Sequence, residues 1–96
     1  MLIARVIGTT VSTIKDEKLV GRKLLIMQQT DETGKAAGKP FVAIDTVDAG
    51  IGDLVLTAAG SSARQTTITK DTPVDAVIMA VIDSLEVEGK VVFRKS

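Results

Sequence analysis

The sequence predicts a mainly β fold, a small barrel. Three observations carry this expectation: five or six short β-branched runs, glycine- and proline-bearing breaks between them, and room for only one short helix. With 96 residues the chain fits one domain, residues 1–96, that buries proportionally less surface than a larger protein. Hydrophobic residues make up 45%, but only two are aromatic, so the core must be aliphatic. So much aliphatic surface on so small a domain raises the prospect that part of it faces identical subunits.

The elements follow in order. "LIARVIGTTVST" (2–13) reads as a first strand, with Gly8 marking a bulge or bend. "KDEKLVGR" is a polar connection, and "KLLIMQQTD" (23–31) is the second strand. "DETGKAAGKP" (31–40) carries the glycines, lysines and proline of a surface loop. "FVAIDTV" (41–47) alternates as a third strand, "DAGIGD" (48–53) breaks it with two glycines, and "LVLTAA" (54–59) is the fourth. Thr72 is suited to cap a helix with Pro73 in its first position and Asp75 near its positive end, which predicts a short helix from Pro73 to about Met79. "AVIDSLEV" (80–87) returns to strand character, "EGK" turns at Gly89, and "VVFR" (91–94) closes a hairpin.

Composition narrows the chemistry. Twelve basic and twelve acidic residues cancel, so no broad field exists to gather nucleic acid or anionic lipid. With no cysteine and no histidine, the chain has no thiolate nucleophile, imidazole base or disulfide, and lacks the usual zinc and iron ligands. The N-terminal "LIARVIG" lacks the layout of a signal peptide, and the longest apolar run, "AVIMAVI", is far short of the roughly 20 residues of a bilayer span. The expected setting is cytoplasmic, with proteins as partners.

Three candidate sites remain. Ser61 and Ser62 in "AAGSSARQT" have no histidine base, and neither "GSSAR" nor "GKAAGKP" has P-loop spacing. That stretch therefore reads as a structural joint: Gly60 for a turn, serines for backbone groups, and Arg64 as a multi-donor contact. Asp45, Asp48 and Asp53 do not follow the alternate-ligand pattern of a calcium loop, and no bidentate glutamate ends it. Solvated carboxylates around a tight glycine loop are the simpler reading, with Ala49, Gly50 and Gly52 allowing close backbone approach. A small barrel also raises single-strand nucleic-acid binding, but the basic residues are not concentrated and Phe41 and Phe93 lie far apart in sequence. No cofactor is expected.

Read together, "GTTVST", "KLLIMQQTDETG", "AIDTVDAGIGDLVL", "GSSARQ", "PVDAVIMAVID" and "KVVFRK" make the chain resemble, over nearly its whole length, the EutN/CcmL family of pentameric vertex proteins of bacterial microcompartment shells. The resemblance implies a five-stranded, oligonucleotide-binding-like (OB-like) barrel with one short helix. It implies a non-enzymatic homopentamer at the corners of a polyhedral shell, next to hexameric shell proteins. It further implies that Gly60, Ser61, Ser62, Ala63, Arg64 and Gln65 sit at subunit contacts, and that Asp48, Ala49, Gly50, Ile51, Gly52 and Asp53 form the loop near the five-fold axis. The chain departs from the family pattern there: Asp48 stands for a common glycine, Asp53 for a glutamate and Leu54 for a frequent tryptophan. An axial Asp48 would give a ring of carboxylates with raised pKa values and room for a cation, whereas a rim position would leave it in solvent.

Overall fold

A computed structural model describes residues 1–10, 23–59 and 76–95. Seven strands occur among these residues: β1 (Leu2–Thr9), β2 (Lys23–Thr30), β3 (Ala36–Asp45), β4 (Leu54–Ala59), β5 (Ala76–Val81), β6 (Ser84–Val87) and β7 (Lys90–Arg94). The first five close into a barrel in the order β1-β2-β3-β5-β4, and β6 and β7 pair only with each other. Every barrel contact is antiparallel except that of β3 with β5, which run parallel through Ile44↔Val77 and Asp45↔Ile78. Closure leaves no continuous edge, which lets so short a sheet satisfy its backbone.

The interior is aliphatic, as composition requires. Ala4, Val6, Leu25, Met27, Ala43, Val55, Ala76 and Ile78 form one cluster, with Phe41 and Val81 packed against it. Period-2 alternation sends Ile44, Ala58 and Val77 to the opposite face, where they form a second cluster with Leu24. Each large aliphatic side chain so buried contributes about 1.5–3 kcal/mol. Buried polar groups are answered: Thr57 Oγ1 donates to the Leu2 carbonyl at 3.3 Å and Thr30 Oγ1 to that of Asp31 at 3.0 Å.

Two single-residue bulges shape the outside of the barrel among its described strands. On β1, Val6 faces Met27 and Gly8 faces Ile26, so Ile7 is the extra residue, in the place where Gly8 predicted a bulge. On β5, Ile78 faces Thr57 and Ala80 faces Leu56, leaving Met79 extra. Both bulged side chains are exposed.

Three sequence expectations need correction. The helix expected from Pro73 to Met79 is replaced over 76–79 by β5, while 73–75 lie outside the described residues. Val77 and Ile78 are β-branched, and β5 pairs with β3 on one side and β4 on the other, so the barrel ladder outweighs the local capping signal. The loop expected over 31–40 is confined to Asp31–Lys35, and Ala36–Pro40 belong to β3. Pro40 is tolerated because β3 meets β5 only at Ile44 and Asp45, so at position 40 it has β2 alone as a neighbour. The run 80–87 is two strands, broken at Ile82 and Asp83 where the chain leaves the barrel.

Candidate functional site: the glycine loop and its anchors

The residues between β3 and β4 are organised by one buried carboxylate. Asp45 ends β3 with its side chain wholly enclosed. Its Oδ1 accepts the Val47 amide at 3.0 Å, and its Oδ2 accepts the Ala49 amide at 3.0 Å. This turns the chain sharply and buries Ala49 in the main core cluster. Beyond it, Asp53 Oδ2 accepts the Gly50 amide at 2.9 Å while its own amide donates to the Gly50 carbonyl at 3.0 Å. The loop is then stitched to β1, where the Gly52 amide donates to the Val6 carbonyl and the Val6 amide to that of Asp53.

Asp48 has φ +58°, in the left-handed region. This explains the departure noted above: glycine adopts that conformation freely, whereas an aspartate there pays in backbone strain. The gain is a partner, because Lys23 Nζ donates to Asp48 Oδ1 at 2.7 Å and also lies 3.3 Å from Asp45 Oδ2. The hydrogen bond and charge of Lys23 hold the Asp48 carboxyl below its usual range, and the two aspartates, Asp48 first, raise Lys23. The Asp48 carboxylate is 92% exposed, and its neighbouring ammonium compensates its charge. Within one chain, then, Lys23 holds Asp48 low.

The three aspartates thus serve three separate tasks. Among the described residues no three acidic side chains converge in a way that could hold a metal ion. Ile51 projects from the loop, 70% exposed. Gly52, at φ +93°, needs glycine for its backbone. Gly60, Ser61, Ser62, Ala63, Arg64 and Gln65 lie outside the described residues.

Arg5 is the residue that sequence reading passed over. Its Nη1 donates to the Gly52 carbonyl at 2.9 Å and its Nη2 to the Gly34 carbonyl at 3.2 Å, tying the glycine loop to the β2–β3 turn. A Cβ on Gly34 would lie 2.7 Å from Arg5 Nη2 and 3.7 Å from the Phe93 ring, so glycine is required for these three to meet. The signal was present in "LIARVIG": with Ala4 and Val6 inside, the intervening arginine has to emerge on the outer face.

These features define a class: an OB-like closed barrel whose built elements are capped, cross-tied loops on an aliphatic core. The comparisons then narrow it. The family model described as "Ethanolamine utilisation protein EutN/carboxysome" matches residues 1–83. The chain belongs to this EutN/CcmL family. The match stops where the chain leaves the barrel for β6 and β7.

Relatives extend over the hairpin. The carboxysome shell vertex protein CcmL of Synechococcus elongatus is 44% identical over 95 residues, covering 99% of this chain and 96% of that protein. The solved CcmL structure from a Nostoc species superposes with a TM-score of 0.90 at 46% identity, covering 99% of this chain and 100% of that one. The GrpN pentameric microcompartment shell protein of Rhodospirillum rubrum superposes with a TM-score of 0.80 at 40% identity, covering 91% and 99%.

Proposed function

We propose that this chain is a structural, non-enzymatic subunit that assembles as a homopentamer. It caps the vertices of a bacterial microcompartment shell in the cytoplasm and meets hexameric shell proteins at its edges. The observation that carries this reading is family membership joined to near-complete superposition on vertex and pentameric shell proteins. The barrel's exterior supports it: Ile7, Val42 and Met79 are large apolar side chains exposed on strands whose inward neighbours already fill the core. An apolar exterior on a barrel with a complete interior calls for a protein partner.

Geometry gives the five-fold count its purpose. A flat sheet of six-fold tiles cannot close, and five-fold units concentrate the curvature at corners. A five-membered ring needs a heterologous interface, one patch of each subunit meeting a different patch of the next. In this reading Asp48 to Asp53 surround the axis and Gly60 to Gln65 join neighbouring subunits. Lys23 would accompany Asp48 at the axis, making the collar a set of paired opposite charges. The alternative of single-strand binding fares worse, since Phe41 packs against the barrel core and Phe93 beside Gly34, so the two rings offer no common stacking surface.

The test is the solution mass by light scattering across a dilution series. A constant mass of five chains is the expected result. A monomer at every concentration would refute the vertex role.

A further inference from the structure

A cleft of about 330 Å³ opens between the glycine loop and the C-terminal hairpin, lined by Arg5, Ile51, Gly52, Asp53, Phe93, Arg94 and Lys95. We propose that it binds a compact doubly charged oxyanion, such as the phosphate group of a small organic phosphate. The proposal stands independently of the vertex role.

Charge is the first argument. In a chain of zero net charge this cleft gathers three cations against one carboxylate, leaving two positive charges in excess. The single carboxylate is partly engaged: Asp53 Oδ2 accepts the Gly50 amide, and Oδ1 makes only a long ion pair with Lys95 Nζ, at 3.8 Å and beyond hydrogen-bond length. Among the described residues Arg94 makes no ion pair.

Preorganisation is the second. Arg5 is pinned by two backbone carbonyls, which use two of its five N–H donors and leave its guanidinium fixed before any ligand arrives. A donor already ordered forfeits little entropy on binding. Phe93 and Ile51 give the cleft apolar walls beside its charges, and the volume suits a phosphate carried on a body of a few carbons. Gly52 keeps the approach open, since a Cβ there would meet no atom within 4 Å. Arginine and lysine together present the forked and point-like donors that bind such oxygens.

Isothermal titration of the assembled protein at low salt tests this, with inorganic phosphate, glycerol phosphate and malonate as probes and chloride as the control. Dianion binding should weaken by about tenfold or more in the R94Q/K95Q double variant. It should tighten severalfold in D53N, which removes the opposing charge but keeps an acceptor for Gly50. Phosphates binding more tightly than malonate would identify a tetrahedral head group, and equal binding would identify charge alone as the determinant. No dianion heat above chloride, an unchanged affinity in the double variant, or an unchanged affinity in D53N would each overturn the proposal. The D53N arm retains its force even if the double variant does not assemble.

Discussion

Two loops of this barrel are closed by the same device in opposite surroundings. Asp31 accepts the amides of Thr33 and Lys35 at 2.8 and 3.0 Å, and Asp45 accepts those of Val47 and Ala49, each aspartate reaching two and four residues ahead. Asp31 does so near the surface, helped by the Thr33 hydroxyl at 2.6 Å, and its turn leads straight back into the antiparallel partner β3. Asp45 does so with its side chain fully enclosed, beside the Lys23 ammonium, and its loop must travel on to β4. One carboxylate shapes a turn that strand pairing already favours; the other shapes a loop that has no hairpin to fall back on.

The comparison can be broken by removing each carboxylate in turn. Asp45→Ala strands the Val47 and Ala49 amides around an emptied buried site, and should destabilise the protein by about 3 kcal/mol in urea unfolding at fixed protein concentration. Asp31→Ala should cost clearly less in the same measurement, because water can satisfy the exposed amides. Equal losses would show that burial does not set the difference.

Titration sharpens it further. The Asp31 carboxyl is held low, chiefly by the Thr33 hydroxyl and then its amide, and Asp48 is held low by Lys23. Groups with a depressed folded pKa contribute stability above their ordinary value, near 3.8, that is lost as pH falls through the lower folded value. Lys23, raised above 10.5, contributes below that value and loses its contribution as pH rises through the raised one. Lys23→Met should therefore flatten the alkaline limb of the stability profile and reduce the acid limb, leaving the Asp31 share of the acid limb in place.

The smallest effects concern the backbone. Asp48→Gly removes left-handed strain but also the exposed Lys23 pair, and the two should nearly cancel in the same measurement. Glu88 and Gly89, at φ +53° and +79°, form the two-residue turn between β6 and β7. Glu88→Asn should stabilise by about 0.5 kcal/mol, since asparagine suits the first left-handed position of such a turn.

Much of the architecture was legible in the sequence because alternation and glycine placement are local signals. The β1 bulge at Gly8, the strands at 23–30 and 54–59 and the turn at Gly89 could all be read directly. What escaped was decided by partners distant in sequence. Pro73 and Asp75 argued for a helix, but Val77 is placed by Ile44 and Ala58, over 30 and nearly 20 residues away. The site divided in the same way. The glycine loop announced itself through Gly50 and Gly52, whereas Lys23 as the partner of Asp48, and Arg5 as the tie between Gly52 and Gly34, depend on separations of 25 to 47 residues that no spacing rule reaches.

The bulges at Ile7 and Met79 have a consequence for how such a chain can change over time. In an unbroken strand an added residue reverses inside and outside for everything beyond it. A bulge absorbs that residue and restores the phase, so Gly8 and Ala80 resume pairing with their partners as though the extra position were absent. Ile7 and Met79 are thereby released from the volume constraints of the interior, and selection can alter the barrel's outer chemistry at these two points without rewriting its core.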